Sequence, residues 1–249
     1  LGIIYFSFQL YCDFSGYSDI AIGSAKLFGI ELISNFNFPF FSTNPIDFWN
    51  KWHISLSSWV KDYLYTPFAL FFIRNFNYSI TKFFPHLLIM IIIGLWHGAN
   101  WTFMFFGLYW GVIICLYLII STRLRIQGIS NNILFKIFST ILMYVISCLG
   151  FLIFRSPTLS DMYKYFYLII EKFNIPKIHL EGFYFILILL LFDWTHRRNE
   201  RRPLQRLKVF NKKYDYLNKG FYFLMISAMF WTVIIFTFKN NNQFLYFQF

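Results

Sequence analysis

Two histidines, 44 positions apart, have surroundings that favour proton chemistry. His97 lies in GLWHGANW, Gly94 to Trp101, between the apolar runs LLIMIII and TFMFFGLYWGVIICLYLII. An ionisable group in such a sequence costs on the order of several kcal/mol unless a partner or a function justifies it. The small residues Gly94 and Gly98 also allow backbone or ligand to approach closely. The pattern therefore favours a functional role for His97.

His53 belongs to a second stretch, DFWNKWHISLSSWVKDYLY, which spans Asp47 to Tyr65. Pro45 and Asp47 predict a helix start just before it. Helical spacing then places one apolar stripe on this segment, made of Trp49, His53, Leu56, Val60 and Leu64. The tryptophans indicate a helix near a headgroup boundary. Taken alone, His53 is therefore interpreted as an interfacial anchor.

Together, the two histidines predict a general base with an orienting or second proton-handling group. Imidazole suits this work because its unperturbed pKa is about 6.5. The sequence contains no GxSxG, HExxH, P-loop or GxGxxG motif. The remaining chemistry is removal of a hydroxyl proton followed by transfer of an activated group, with no metal required.

The composition predicts a membrane protein. Hydrophobic residues make up 58% of the 249 positions and charged residues only 13%, against roughly 25% charged in soluble domains. The net charge is +11, and nine Lys/Arg lie between His196 and Lys219. This block is typical of a cytoplasmic loop and could also contact anionic lipids. No zinc spacing or aromatic-basic module accompanies it, so we expect no nucleic-acid partner.

The apolar runs predict five or six membrane segments in one embedded domain, residues 1–249, which we expect to be the C-terminal part of a longer protein. The predicted fold is all-α and polytopic, with re-entrant or interfacial helices. The candidate segments are Leu1–Phe28 (interrupted at DFSGYSD), Phe84–Trp96 (a half-span), Trp101–Ile120, Ile133–Phe154, Gly182–Phe192 and Gly220–Phe238. Asn35–Phe48 is predicted as a loop, and Ser156–Phe173 as an amphipathic interfacial helix.

Two further features of the apolar segments are a pair of aspartates, which is open to more than one interpretation, and three cysteines. Asp13 and Asp19 are carboxylates in an apolar segment, where such groups are rare without partners. Asp13 could orient a histidine or bind a hydroxyl, and it could equally cap a broken helix beside Gly16. The three cysteines, Cys12, Cys115 and Cys148, lie in apolar runs and are interpreted as buried small hydrophobes.

Three segments resemble a known family. FWNKWHISLSSWVKDYLYTP and GLWHGANWTFMFFGLYWG resemble the signature segments of the membrane-bound O-acyltransferases. YCDFSGYSDIAIGSAKLFGI is similar to a third family segment. Its DFSGYSD, together with the final FLYFQF, is more similar to the alginate O-acetyltransferase type than to the teichoic-acid D-alanyl transferase type.

The resemblance implies a helical membrane enzyme with a tunnel into the bilayer and further helices before Leu1. It implies that His97 is the essential histidine of the WHG segment and that His53 is a second required histidine. It also implies transfer of an acyl group, usually acetyl, from a cytoplasmic donor such as acetyl-CoA to a cell-surface polysaccharide. A partner acetyltransferase outside the cytoplasm would complete delivery. The implied location is the bacterial inner membrane, and no metal or bound cofactor is expected.

Three alternatives stay open on the sequence. One is D-alanyl transfer to teichoic acid. Another is a transporter or flippase, for which inverted repeats would be expected and none is found. The third is a membrane scaffold without catalysis.

Overall fold

The computed structural model describes residues 1–124, 132–171 and 182–196, with positions 220, 223, 224, 227 and 231 beyond them. Every regular element in this part of the chain is helical, which confirms the predicted all-α class. The chain forms two compact units, Leu1–Gly182 and Phe183–Gln248. Both histidines of interest lie in the first unit.

Nine helices lie within the described residues. The longer ones are α1 (Gly2–Leu27), α5 (Tyr78–Trp96), α6 (Trp101–Leu124) and α7 (Ile133–Arg155). The shorter ones are α2 (Pro45–Trp49), α3 (Ile54–Val60), α4 (Thr66–Asn75), α8 (Leu159–Glu171) and α9 (Gly182–His196). The predicted amphipathic helix corresponds to α8.

Two of the described helices are long and apolar enough to cross a bilayer. They comprise Trp101–Arg123 of α6 and Ile133–Arg155 of α7. The sequence predicted five or six membrane segments, and these two helices coincide with the predicted segments Trp101–Ile120 and Ile133–Phe154. Thr81–Trp96 and Gly182–Leu191 are apolar but shorter. Most of the predicted segment Gly220–Phe238 and the basic block after His196 lie outside the described residues.

The first helix differs from its prediction. α1 runs unbroken from Gly2 to Leu27, through DFSGYSD. An isolated glycine such as Gly16 costs a helix only about 1 kcal/mol, which the continuing hydrogen bonds of a long helix offset. The interpretation of Asp13 as the cap of a broken helix is therefore wrong. The cysteine prediction is also wrong for Cys12, which is exposed, whereas Cys115 and Cys148 are buried.

Helices α5 and α6 pack with their backbones in close contact. A Cβ atom added to Gly94 would lie 2.1 Å from the carbonyl oxygen of Phe103, and one added to Gly107 would lie 2.2 Å from that of Met90. Only glycine permits this approach on both sides. The hairpin therefore holds the short connector that carries His97 between two tightly joined helices.

Aromatic rings attach the connector between α1 and α3 to the long helices. Phe48 stacks on Trp110 of α6, with ring centroids 4.9 Å apart, and lies nearly parallel to Trp52, 5.7 Å away. Each such pair contributes about 0.5–1.5 kcal/mol beyond the area that it buries. The predicted loop is thus well packed. It contains a 3₁₀ turn at Pro39–Phe41, and its last residues belong to α2.

Candidate functional site

His53 lies between two short helices, where a single helix was predicted. The predicted start is confirmed, because α2 begins at Pro45 and its N-cap Asn44 accepts a hydrogen bond from the Asp47 N–H at 2.8 Å. However, α2 ends at Trp49, and α3 begins only after His53.

The single stripe predicted across this segment is therefore wrong. A π-helical turn at Lys61–Tyr65 shifts the side chains again after α3. His53 itself has φ 46° and ψ 54°, in the left-handed region. This conformation costs an L-residue about 1–2 kcal/mol. Tertiary contacts must offset that cost.

The His53 imidazole is buried, with 8% of the residue exposed. Its ring forms a T-shaped pair with that of Phe14 from α1, with centroids 4.7 Å apart and planes at 88°. On another side, it lies 6.0 Å from the ring centroid of Trp96, the last residue of α5. An apolar pocket of this kind favours the neutral imidazole over the charged one.

His97 follows directly after α5, and its backbone N–H donates to the Gly94 carbonyl oxygen at 3.1 Å. Its imidazole lies 4.9 Å from the ring centroid of Trp96 and 5.0 Å from that of Phe154 on α7, edge to face with the latter. Phe106 of α6 is 6.1 Å away. Side chains from α5, α6 and α7 therefore surround this half-buried histidine.

The structure brings the two predicted histidines to the same indole. The Trp96 ring centroid lies 6.0 Å from that of His53 and 4.9 Å from that of His97, so one side chain is near both histidines, which are 44 positions apart in sequence. Within the described part of the chain, neither imidazole takes part in a hydrogen bond. Their ring nitrogens are therefore available to an approaching group.

The environment lowers the pKa of both histidines, which lie in connectors and not within α6 or α7. Burial lowers the pKa of His97 to about 4. Burial, together with a smaller contribution from repulsion by His97, lowers the pKa of His53 to about 4. At neutral pH both rings are consequently uncharged, and each presents one nitrogen able to accept a proton.

A third histidine, His86 of α5, has a contrasting environment. Its Nδ1–H donates to the Lys82 carbonyl oxygen at 3.1 Å, which leaves Nε2 to accept from the Tyr65 hydroxyl at 3.2 Å. Both ring nitrogens are engaged, and the bond with Tyr65 joins α5 to the π-helical turn. His86 is therefore a structural histidine.

The turn after His97 is fixed by Asn100. Its side-chain oxygen accepts from the Thr102 N–H at 3.2 Å, which caps the start of α6. Its side-chain amide donates to the Pro157 carbonyl oxygen at 3.0 Å, just before α8. Asn100 thus ties the connector of His97 to the link between α7 and α8.

Neither histidine lines the cavity of about 650 Å³ between α1, α7 and α8, whose polar lining includes Gln9, Arg155 and Tyr165. The described residues hold no cluster of three or more His, Cys, Asp or Glu side chains placed to bind a metal. The two neutral imidazoles can accept a proton at one ring nitrogen and donate a hydrogen bond from the other.

In the part of the chain that the structure describes, these features are helices throughout, two of them long and apolar, and a pair of neutral histidines in the connectors. The chain belongs to the MBOAT family, the membrane-bound O-acyltransferases, whose sequence profile matches residues 1–155. The matched region includes His53, His97 and every ring that contacts them.

The relatives come from several functional types. The chain is 37% identical over 164 residues to a probable alginate O-acetylase of Azotobacter vinelandii, covering 66% of this chain and 31% of that protein. It is 36% identical over 159 residues to a peptidoglycan O-acetyltransferase of Helicobacter pylori, covering 64% and 29%. It is 35% identical over 116 residues to a teichoic acid D-alanyltransferase of Streptococcus thermophilus, covering 45% and 28%.

The chain thus spans about a third of the length of the curated relatives that it matches. The profile match over residues 1–155 establishes the family.

Two contributors to the site were not identified from the sequence. Trp96 was noted only as a neighbour of His97, although its indole also contacts His53. Asn35 was predicted only as part of a loop, and its hydrogen bonds to both residues that follow His53 were not foreseen. Neither contact has a periodic or motif signal, because each joins segments far apart in sequence.

Proposed function

We propose that this chain carries the histidine centre of an O-acyltransferase. The enzyme moves an acyl group, for which acetyl is the first candidate, from a donor such as acetyl-CoA to a hydroxyl. The observation that carries the proposal is the pair of uncharged imidazoles, free of hydrogen bonds to the described residues, that both lie near the indole of Trp96. It lies within the segment that matches the family.

In the proposed reaction, a ring nitrogen of His97 takes the proton of the acceptor hydroxyl. The oxygen attacks the thioester carbonyl carbon, a C–O bond forms, and the carbonyl oxygen becomes negatively charged. When that charge collapses, the C–S bond breaks, and the thiolate of CoA recovers the proton from the imidazolium. The products are an ester and the free thiol, so the histidine is regenerated.

His53 is proposed to orient the reacting groups or to stabilise the charge that develops on the carbonyl oxygen. General-base catalysis contributes roughly 10²–10⁴-fold, and an oxyanion donor contributes a comparable factor. A neutral imidazole has one N–H donor and one acceptor nitrogen, so it can serve in either capacity.

The low pKa of the pair has two opposed consequences. It keeps His97 unprotonated and ready to accept a proton, but it also makes the ring a weaker base than one with a pKa near 7. During attack, the negative charge on the carbonyl oxygen stabilises the imidazolium beside it. The pKa therefore rises when proton transfer requires it, because opposite charges in an apolar site attract strongly.

The proposed acceptor is a cell-surface polysaccharide or a partner acetyltransferase outside the cytoplasm that delivers the group. Relatives named for alginate and peptidoglycan O-acetylation support a polysaccharide. The proposed location is the bacterial inner membrane in a multi-pass arrangement, to which α6 and α7 contribute two spans. The basic block after His196 is proposed to be cytoplasmic.

D-alanyl transfer to teichoic acid is the second candidate, because a teichoic acid D-alanyltransferase is among the relatives. The chemistry of the histidine pair is the same for both acyl groups. Over alignments of similar length, the identity to the alginate and peptidoglycan enzymes is 37% and 36%, against 31% to a D-alanyltransferase that aligns over 153 residues, which favours acetyl.

The test uses membranes that contain the complete natural protein, with and without its partner acetyltransferase. We expect radiolabelled acetyl-CoA to transfer label to polysaccharide or partner, and a D-alanyl thioester carrier to transfer none. Label from the D-alanyl donor alone would favour the second candidate. Uptake of an intact substrate without ester formation would identify a transporter. If neither transfer nor uptake is detected, the result would support a scaffold without catalysis.

A further inference from the structure

The start of α3 poses a capping problem. The first N–H groups of any helix have no partner within it, and the N-cap side chain normally accepts a hydrogen bond from one of them. Here the N-cap residue is His53, whose side chain makes no cap hydrogen bond. Its ring lies instead between Phe14 and Trp96. The helix must therefore be capped by another residue if the imidazole is to serve the site.

Asn35, eighteen positions earlier in the chain, supplies that cap. Its backbone carbonyl oxygen accepts from the Ile54 N–H at 2.9 Å. Its side-chain oxygen accepts from the Ser55 N–H at 3.2 Å and from the Ser55 hydroxyl. One asparagine thus satisfies the first two N–H groups of α3 and binds both residues that follow His53.

Asn35 is itself held from the opposite side. Its side-chain amide donates to the hydroxyl of Ser18 at 3.0 Å, and Ser18 is buried on α1. Phe14, which packs against the imidazole of His53, is one helical turn before Ser18 on the same helix. The path from Ser18 through Asn35 to the start of α3 therefore fixes the backbone of His53 relative to the ring that orients its side chain.

We infer that Asn35 is a positioning residue for His53: it takes over the capping of α3, holds His53 in its left-handed conformation and leaves the imidazole free to act. For its effect on catalysis, this inference rests on the proposed function. It predicts that Asn35 acts through geometry, since its hydrogen bonds go to the residues that follow His53 and the His53 imidazole contacts aromatic rings instead.

Three variants of the complete natural protein test the role. Asn35→Ala removes the side-chain cap and the bond to Ser18. Asn35→Asp keeps an oxygen for Ser55 and can accept a hydrogen bond from the Ser18 hydroxyl. Asn37→Ala is the matched control, because Asn37 contributes its backbone N–H, not its side chain, to a bond with the Lys51 carbonyl oxygen.

Two readouts are measured for each variant. The first is kcat and KM for acetyl transfer. The second is the rate at which diethyl pyrocarbonate modifies His53 relative to His86, quantified by peptide mass spectrometry. His86 serves as an internal reference because its ring is held by the independent bonds to Tyr65 and Lys82.

For Asn35→Ala we expect kcat to fall by roughly tenfold to a hundredfold with KM little changed, since small misplacements of a reacting group have effects of this size. The modification rate of His53 should rise while that of His86 stays constant. Asn35→Asp should restore most of kcat and the slow modification of His53, and Asn37→Ala should match the wild type.

Unchanged kcat and unchanged reactivity of His53 in Asn35→Ala would overturn the inference. Equal increases at His53 and His86 would also overturn it, because they would show a general loss of structure. If the wild type transfers no acyl group, the proposed function fails. The labelling ratio then still decides whether Asn35 positions His53.

Discussion

The connectors of His97 and His53 hold their histidines by different means. His97 lies in a four-residue link between α5 and α6, whose backbones touch at Gly94 and Gly107. His53 lies between the short helices α2 and α3, which are held by aromatic stacking and by the hydrogen bonds of Asn35.

The difference concerns what each position depends on. Contact between two helix backbones leaves almost no freedom, so the place of His97 depends on the absence of side chains at two glycines. The place of His53 depends on side chains that are present, each contributing on the order of 1 kcal/mol. We therefore expect a single added methyl group to destabilise the region around His97 strongly. In the region around His53, we expect each lost side-chain contact to lower stability by a small amount.

The largest effect should come from His97→Ala. The acceptor hydroxyl would lose its base, and acetyl transfer should fall by roughly 10²–10⁴-fold while the protein still enters the membrane. The measurement is radiolabelled transfer at equal amounts of inserted protein. His86→Gln is the matched control and should stay active. Full turnover by His97→Ala would remove His97 from the mechanism.

Gly94→Ala tests the backbone contact directly. The new Cβ would lie 2.1 Å from the Phe103 carbonyl oxygen, so α5 and α6 must separate. Overpacking of this kind destabilises by about 1–3 kcal/mol, and more where backbone blocks relaxation. We expect a lower melting temperature in detergent.

Gly23→Ala is the control for the glycine prediction, because its Cβ meets no atom within 4 Å on α1. Alanine in a helix interior should leave stability unchanged or raise it slightly. Equal melting temperatures for Gly94→Ala and Gly23→Ala would contradict the account of the α5–α6 hairpin.

His53→Gln should lower acetyl transfer by at least about tenfold. Glutamine keeps a hydrogen-bond donor and much of the volume, but it cannot take a proton. The smaller expected effect, compared with His97→Ala, reflects the orienting role proposed for His53. An unchanged rate, with His86→Gln also unchanged, would return His53 to the role of an interfacial anchor.

The smallest expected effect is a shift in the pH profile. In the proposed reaction, transfer requires neutral imidazoles, so we expect activity to be lost when acid protonates them. Because the pKa of each histidine is lowered to about 4, the acidic limb should lie well below the usual histidine pKa of about 6.5. The rate should therefore be nearly constant from about pH 6 to pH 8. A limb centred near pH 6.5 would show that the rings are hydrated in the working enzyme.

Local patterns predicted much of the fold. The apolar runs identified α6 and α7, and Pro45 with Asp47 predicted the start of α2. These predictions succeed because hydrophobic length and helix capping act over neighbouring residues. The predicted stripe through His53 was wrong because helical spacing is also a local pattern. It carries no information about where contacts with distant segments interrupt a helix.

By itself, the sequence determined which residues could handle protons and that they lie in or beside apolar segments. His97 and His53 were identified from residue type and surroundings alone. The tertiary structure alone decided that both rings meet Trp96, that burial keeps them neutral, and that Asn35 caps the helix that His53 begins. The physical reason is distance along the chain. Desolvation and hydrogen bonding depend on which segments meet in space, and no local pattern encodes that.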